Sequence, residues 1–265
     1  MRGVGVKWPI VGSMRVDQIA LQLWTVRDLV AADPRAALRA VADVGYRSVE
    51  LAHLADTPAS ELAPVLRECG LQAMGEHIGI DRLRADIGSI LDRLTALDCP
   101  RAIVPWLPEE DRRTAHGVRR LVAELNSLGR VLEDRGFRLG YHNHAFEFEP
   151  LDESTVWDIL LAELAPNVDF ELDVYWAAVG GRDPVATIEQ AAGRIRLLHM
   201  KDRAPGTEPH DAPAGEGTLG MSRIVAAGRD ASVEWYVAEQ DEPREALADI
   251  ATAYRNLADL SGSVA

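Results

Sequence analysis

The chain has 265 residues, which is long enough for a sizeable core and falls within the range of a single α/β barrel. Its hydrophobic fraction of 47% and charged fraction of 26% are typical of a soluble globular protein, and no apolar run approaches the roughly 20 residues of a membrane span. The formal net charge of −14 argues against a nucleic-acid partner, since counterion release on phosphate binding requires a basic face.

Residues 1–15 carry some positive charge but no apolar stretch of signal-peptide length, and we interpret them as an N-terminal lead-in. Cys69 and Cys99 show no pairing signature and no CxxC motif. They are typical of reduced thiols, so we expect a cytoplasmic protein.

The first half of the chain repeats a unit of helix, glycine and short apolar run. A helix pattern begins at Pro34 and ends at Gly45, and Gly70 and Gly136 follow two later helix patterns in the same way. Glycine just past a helix end adopts the left-handed cap that turns the chain back toward a strand. The strands predicted in this half are residues 19–24, 46–52, 71–77, 101–106 and 137–144.

The second half continues the alternation and brings the number of predicted strands to eight. The predicted helices are residues 156–164, 184–192, 221–227 and 243–260, and the predicted strands are residues 168–176, 195–201 and 233–240. Most of the predicted strands are runs of Val, Ile and Leu, which indicates a parallel sheet buried on both faces.

Eight such strands predict one (β/α)8 TIM barrel, an α/β fold, over residues 16–265. The alternative is an open, doubly wound sheet, which binds nucleotides through a glycine-rich turn after its first strand. The segment LQLWTVRD at that position contains no glycine, so we favour the closed barrel.

Side chains of metal-binding type close four of the later apolar runs. They are Glu147 in YHNHAFEFE, Asp173 in FELDVYW, His199 in IRLLHMKD and Glu239 in WYVAEQD. The carboxyl ends of barrel strands meet on the active face, where a buried carboxylate or imidazole needs a strong partner such as a cation. Three carboxylates and one imidazole suit Mn²⁺ best, with Mg²⁺, Co²⁺ and Zn²⁺ as alternatives.

Four protein ligands would leave positions open on a five- or six-coordinate ion. Those positions can chelate two adjacent oxygens of a substrate and polarise its carbonyl. A neighbouring base could then remove the proton next to the carbonyl and form an enediolate that the metal stabilises.

Five fragments, in the order LQLWTVRD, YHNHAFEFE, ELDVYW, LLHMKD and AEQD, resemble the sugar phosphate isomerase/epimerase family of xylose isomerase-like TIM barrels. That family includes ketose 3-epimerases, inosose dehydratases and hydroxypyruvate isomerases. The resemblance runs from about residue 19 to 260. It implies a metal set of Glu147, Asp173, His199 and Glu239, with Glu147 and Glu239 as catalytic acid and base.

One departure from the family pattern lies after the fifth predicted strand. In ketose 3-epimerases the first metal glutamate stands earlier on this strand, where the present chain has Gly140 or Tyr141. Either Glu147 reaches the metal from a loop, or Glu149 replaces it, or one of two histidines completes the ligand set. The two histidines are His142 and His144, and His144 is also a candidate catalytic base.

Further polar and aromatic residues are expected to bind substrate. Lys201 could hold an oxyanion or phosphate, although a solvated lysine is the alternative, and three aromatic side chains could form a flat wall for a sugar ring or simply pack the rim. Glu216 lies in GEGTLG, which resembles a family loop near the substrate or is a plain turn. The expected substrate-binding residues are Gln22, Trp24, His77, His142, Tyr175, Trp176, Lys201 and Glu216.

We therefore expect a metal-dependent isomerase or epimerase that acts on a small sugar or keto-sugar. A lyase or dehydratase that performs β-elimination on 3-keto-sugars or keto-glycosides is the alternative. Two other classes are an endonuclease IV-like phosphodiesterase, which the acidic charge disfavours, and a non-enzymatic binding subunit. We expect neither nucleic acid nor membrane as partner, and the sequence leaves open whether the chain forms a homo-oligomer.

Overall fold

Eight parallel strands close into a barrel in the computed structural model, which describes residues 14–54 and 56–261. Residues 1–13 of the expected lead-in lie outside the described residues. The strands are β1 Ile19–Gln22, β2 Ser48–Leu51, β3 Gln72–His77, β4 Arg101–Val104, β5 Arg138–His142, β6 Val168–Asp173, β7 Ile195–Met200 and β8 Trp235–Ala238. Each strand pairs with its sequence neighbours and β1 pairs with β8, so the predicted barrel is confirmed.

Helices surround the barrel and connect consecutive strands. They are α1 Arg27–Ala32, α2 Pro34–Val44, α3 Ala59–Cys69, α4 Ile80–Ala85, α5 Ile87–Leu97, α6 Glu109–Arg112, α7 Ala115–Glu133, α8 Val156–Glu163, α9 Val174–Val179, α10 Pro184–Gln190, α11 Met221–Asp230 and α12 Ala246–Leu260. Short 3₁₀ turns occur at Val16–Gln18, Leu23–Val26 and Ala145–Phe148. Two small hairpins pair Pro150–Leu151 with Ser154–Thr155 and Asp202–Arg203 with Asp211–Ala212.

The helix boundaries follow from local capping. The Asp33 carboxylate accepts the backbone N–H of Ala36, and Pro34 occupies the first turn of α2, where its missing N–H costs nothing. Gly70 ends α3 with φ of 66°, in the left-handed region that favours glycine. Among the described residues, no helix is long and apolar enough to cross a bilayer.

The interior of the barrel is built in layers. An apolar layer lies within the strands and consists of Ala20, Met74, Ile103, Leu197 and Val237. Residues two apart on a strand face the same side, so the side chains two positions further along β1, β7 and β8 stand one step nearer the carboxyl ends. Those side chains are polar, and they begin the candidate site.

Several predicted strands continue further than the structure allows, and two of them show the reason. β1 ends at Gln22 and β6 ends at Asp173, whereas strands were predicted to residues 24 and 176. Asp173 caps the next helix by accepting the backbone N–H of Trp176 at 2.9 Å, which stops the strand. The aromatic residues Trp24 and Trp176 are therefore held on helical turns above the barrel rather than on strands.

Candidate active site

Five ionisable side chains fill the barrel directly above the apolar layer. This deep cluster consists of Glu50, His77, His142, Glu171 and His199. Glu171 Oε2 lies 2.9 Å from His77 Nε2, 3.1 Å from His142 Nδ1 and 3.1 Å from His199 Nε2. Three imidazoles therefore converge on one carboxylate oxygen in a site that is almost entirely buried.

Glu50 closes the deep cluster from the other side of the barrel. Its Oε2 lies 2.8 Å from His199 Nε2 and 3.2 Å from His77 Nε2, and it accepts a hydrogen bond from Gln22 Nε2 at 2.5 Å. Gln22 Oε1 in turn accepts the backbone N–H of Trp24. Both ends of the Gln22 amide are thus bonded within the protein, and the structure places this predicted substrate-binding residue below the cavity.

The charges of the deep cluster follow from burial and proximity. Burial opposes charge on His77, but Glu50 and Glu171 raise the pKa of His77 to about 10. Burial also opposes the ionised form of Glu50, yet the neighbouring histidines hold the pKa of that carboxyl below its usual range. One oxygen of each glutamate, Glu50 Oε1 and Glu171 Oε1, is buried without a hydrogen-bond partner.

A second group of ionisable residues lies nearer the barrel mouth. This mouth cluster consists of Asp173, His199, Lys201, Glu239 and Asp241. Lys201 Nζ lies 3.2 Å from Asp173 Oδ2, 3.0 Å from Glu239 Oε2 and 2.6 Å from Asp241 Oδ2. His199 belongs to both clusters, since its Nδ1 lies 2.8 Å from Glu239 Oε2 while its Nε2 faces the deep cluster.

Three of the four predicted metal ligands come together in the mouth cluster. Donor atoms of Asp173, His199 and Glu239 all lie within 4.8 Å of one another, and all three residues are buried. Burial raises the pKa of Asp173 to about 6, against the opposing effect of Lys201, and Asp173 Oδ2 lacks a hydrogen-bond partner. Two carboxylates and an imidazole, with Asp173 Oδ2 in an ion pair with Lys201 but without a hydrogen bond, are a donor set that fits a divalent cation.

Glu147, the fourth predicted ligand, lies elsewhere. Its Oε1 accepts the Tyr141 hydroxyl at 2.6 Å, and its Oε2 accepts the backbone N–H of His144 at 2.7 Å. Tyr141 faces outward, because its neighbour His142 faces the barrel interior and adjacent strand residues point to opposite sides. The 3₁₀ turn thus folds Glu147 behind the barrel wall, away from the mouth cluster, while the alternative Glu149 is exposed.

A cavity of about 400 Å³ opens above the two clusters. Its lining residues are Trp24, Ala52, His53, His77, Pro105, Trp106, His142, His144, Lys201, Glu239 and Asp241. His53 adopts a left-handed backbone with φ of 61°, an uncommon conformation for a non-glycine residue and one that clusters at functional sites. The cavity has the size and the mixed apolar and polar lining of a small-molecule site.

His144 is the predicted base that faces this cavity. Its ring lies 5.1 Å from that of His142 and 5.6 Å from that of Trp176, and its buried Nδ1 has no hydrogen-bond partner. Burial, reinforced by the charge of Lys201, lowers the pKa of His144 to about 4. The imidazole is therefore neutral at pH 7 and able to accept a proton.

Besides Gln22, three predicted substrate-binding residues stand apart from the cavity lining. Trp176 and Tyr175 flank Lys201, whose Nζ lies 5.5 Å and 5.9 Å from their ring centres. Glu216 is exposed and accepts a hydrogen bond from Asn256 Nδ2 on α12 at 3.1 Å. The GEGTLG loop that carries Glu216 thus turns this side chain outward rather than toward the cavity.

Sequence reasoning left several residues out of the candidate site. Glu171, Trp106 and Asp241 were not selected, although the structure places them in the deep cluster, the cavity wall and the mouth cluster. Strand periodicity contained the signal, because Glu171 precedes Asp173 by two residues and Asp241 follows Glu239 by two. Trp106 likewise stands two residues beyond the end of β4.

Comparison with known proteins places the chain in a recognised group. A family model described as xylose isomerase-like TIM barrel matches residues 38–260. An inosose dehydratase from Geobacillus kaustophilus is 29% identical over 188 residues, which cover 62% of this chain and 60% of that protein. An inosose dehydratase from Clostridium beijerinckii is 32% identical over 80 residues, which cover 29% of this chain and 26% of that protein. The chain thus spans less than two thirds of the length of the curated relatives it matches.

Solved structures share the whole fold. A sugar phosphate isomerase/epimerase from Parabacteroides distasonis superposes with a TM-score of 0.80 at 22% identity, covering 92% of this chain and 99% of that one. At this level of identity the likeness shows the fold alone.

Proposed function

Because this chain belongs to the xylose isomerase-like TIM barrel family, we propose that it is a metal-dependent enzyme that removes the proton next to the carbonyl of a sugar-like ketone. The observation that carries the proposal is the convergence of Asp173, His199 and Glu239 within 4.8 Å beside a cavity that also holds the neutral imidazole of His144. This arrangement supplies cation ligands, a base and room for a small polyol in one place.

The cation would be held by Asp173, His199 and Glu239. Mn²⁺ is favoured because two of these three ligands are carboxylates. Three protein ligands leave positions for two substrate oxygens, as in other catalytic metal sites. When bound, the cation polarises the substrate carbonyl and offsets the negative charge that develops on its oxygen. We leave Glu147 out of this set because its two oxygens are already bonded behind the barrel wall.

The chain's own residues supply the proton chemistry. His144 accepts the proton from the carbon next to the carbonyl, since its imidazole is neutral at pH 7 and its Nδ1 has no hydrogen-bond partner. Lys201, held charged by three carboxylates, attracts the negative charge that forms on the substrate. The indole of Trp24 forms part of the cavity wall against which the sugar ring rests.

Two observations favour β-elimination as the outcome of this proton removal. Epimerisation by two opposed carboxylates needs a second glutamate in the cavity, and Glu147 lies outside it. The curated relatives that match the chain are named inosose dehydratases. In elimination the C–H bond next to the carbonyl breaks and its proton goes to His144. The electron pair forms a C=C bond as the C–O bond one carbon further breaks, and the leaving oxygen takes the proton from His144 and departs as water.

Isomerisation or epimerisation is the second candidate, because it begins with the same proton removal. In that reaction the proton returns to the same carbon from the opposite face or to the neighbouring carbon. Because the two reactions share this first step, one experiment can test both candidates.

The test is deuterium exchange monitored by NMR. Purified protein supplied with Mn²⁺ is incubated in D₂O with inososes, 3-keto-glycosides and ketoses, and we expect deuterium next to the carbonyl of at least one of them. Loss of the leaving oxygen identifies elimination, and an inverted or shifted carbonyl centre identifies the second candidate. Absence of exchange in every substrate class would refute the proposal.

Matched variants assign the roles. His144→Gln should lower kcat by about 10²–10⁴-fold with the metal content unchanged, as expected for loss of a general base. Asp173→Ala should lower the affinity for Mn²⁺ as well as the activity. His116→Gln, which changes an exposed histidine on α7, serves as the control and should retain full activity.

A further inference from the structure

The deep cluster contains a complete ligand set that the mouth cluster does not use. Glu50, His77, His142 and Glu171 provide two carboxylates and two imidazoles without any help from His199. Glu171 Oε2 lies 2.9 Å from His77 Nε2 and 3.1 Å from His142 Nδ1, and Glu50 Oε2 lies 3.2 Å from the same nitrogen of His77. The ligand atoms of His77, His142, Glu171 and His199 all lie within 4.8 Å of one another, and Glu50 Oε2 adjoins this group through His77.

Charge balance also points to a cation among these side chains. A cation binds only deprotonated imidazoles, and with both imidazoles neutral the two ionised glutamates give this nearly buried set a net charge of −2. A divalent ion would neutralise the set. In addition, Glu50 Oε1 and Glu171 Oε1 are fully buried and have no hydrogen-bond partner, so each glutamate has one oxygen available to bind a cation.

We propose that the barrel holds a second divalent cation beneath the mouth site, bound by Glu50, His77, His142 and Glu171 in a four-coordinate N₂O₂ arrangement. Zn²⁺ or Co²⁺ fits this donor set better than Mn²⁺, because half of the donors are imidazole nitrogens and the set is compact. His199 lies between the two sites, with Nδ1 toward the mouth cluster and Nε2 toward Glu50 and Glu171.

A route to the deep site exists from the cavity. His77 and His142 both line the cavity wall, and the His77 side chain is 10% exposed. A cation entering through the mouth therefore meets these two imidazoles before it reaches Glu50 and Glu171, which are fully buried.

The competing arrangement needs no metal in the deep cluster. Protonated His77 and His199 would then form buried ion pairs with Glu50 and Glu171. The deep cluster would serve only to hold the residues of the mouth site in position. The two arrangements differ in the number of cations that one chain binds, which can be counted.

The test is a count of bound Co²⁺ in the metal-free full-length protein, by calorimetric titration and elemental analysis. We expect two equivalents per chain in the wild type and one in each of His77→Gln and Glu171→Gln. The double variant with Asp173→Asn and Glu239→Gln should also bind one equivalent, and His116→Gln should bind two. Circular dichroism of every variant verifies that it is folded.

The visible spectrum of bound Co²⁺ gives a second readout that needs no variant. A four-coordinate N₂O₂ site absorbs far more strongly than a five- or six-coordinate oxygen-rich site, so one intense and one weak component are expected. One equivalent in the wild type, retained by His77→Gln and Glu171→Gln but lost from the Asp173→Asn, Glu239→Gln variant, would overturn the second site. One equivalent lost from His77→Gln but retained by that double variant would support the deep site and contradict the proposed mouth site.

Discussion

Both carboxylate oxygens of Glu147, a predicted metal ligand, are hydrogen-bonded within the protein. Its carboxylate accepts the Tyr141 hydroxyl and the backbone N–H of His144, and both donors belong to the segment that leaves β5. The residue therefore holds the turn that presents His144 to the cavity. We assign Glu147 a positioning role rather than a ligand role.

The variant Glu147→Gln tests this assignment through metal content and pH. Burial raises the pKa of Glu147 to about 8, so the folded protein binds a proton that the unfolded chain has released between about pH 4.5 and pH 8. The group's contribution to stability is complete below pH 4.5 and is lost as the pH rises toward 8. Glutamine mimics the protonated form, so the variant should gain stability relative to the wild type across this window.

Urea unfolding at pH 5 and pH 8, together with elemental analysis, provides the measurement. The relative gain should not exceed about 1.4 kcal/mol per pH unit, and the metal content should match that of the wild type. A variant that loses a bound cation would instead restore Glu147 to the ligand set.

Trp106 is the large apolar side chain that the cavity leaves open to solvent. It follows β4, lines the cavity and is 49% exposed, a state that a ligand could cover. We expect Trp106→Ala to raise KM by about 10-fold with little change in kcat, because it removes binding that ground state and transition state share. Leu247→Ala, at a comparably exposed position on α12, is the control, and an equal effect in both variants would remove Trp106 from the binding surface.

The order of strands and helices could be predicted from the sequence because each unit carries its own signals. Helix caps such as Asp33 and left-handed glycines such as Gly70 act over a few residues, so a local pattern suffices. The direction of a side chain at a strand end is not local in this sense. His142 faces inward and Tyr141 outward by strand parity, and the following turn reverses the chain so that Glu147 returns to Tyr141.

The same limit explains why Glu171 escaped prediction and why the three histidines around it were not predicted to form one cluster. Attention to strand ends selected Asp173 and His199, whereas Glu171 lies inside β6 among buried apolar residues. Its contacts with three histidines come from three other strands, and their separation in sequence hides the cluster. Only closure of the barrel brings these donors together.

The loop between the Asp202 hairpin and α11 is an element whose shape depends on one carboxylate. Asp202 accepts the backbone N–H groups of Gly215 at 3.0 Å, Gly217 at 3.1 Å and Leu219 at 3.0 Å. A Cβ added at Gly217 would collide with Asp202 and with the backbone oxygen of Arg203. The glycine is therefore required by close approach of the backbone to the carboxylate.

We expect Gly217→Ala to destabilise the protein by about 1–3 kcal/mol, since the collision forces either the loop or Asp202 to move. Gly79→Ala is the matched control, because a Cβ there meets nothing within 4 Å, and it should change stability by no more than about 0.5 kcal/mol. Thermal and urea unfolding of the two variants provide the comparison. Equal stability of the two variants would show that the loop around the Asp202 carboxylate can move to make room for the added Cβ.

At the level of the entire barrel, the side chains of the two clusters connect strands that are distant in sequence. The Glu50 and His199 side chains meet at 2.8 Å although 149 residues separate them, and Gln22 joins them from β1. Cations that bind only when these strands are assembled stabilise the folded state by linkage, because the unfolded chain offers no such site.

Metal removal should therefore lower the thermal stability of the whole protein, whatever the reaction proves to be. A cation present at about 100 times its Kd contributes about 2.7 kcal/mol, which corresponds to a rise in Tm of roughly 5–10 °C for a domain of this size. We expect differential scanning calorimetry to show this rise when Co²⁺ or Mn²⁺ is added to chelator-treated protein, and to show it undiminished in His116→Gln. Asp173→Asn and His77→Gln should each show a smaller rise, because each removes a ligand from one cluster only. An unchanged Tm in the wild type with every cation would contradict both proposed sites, since a barrel whose interior binds no ion gains nothing from its addition.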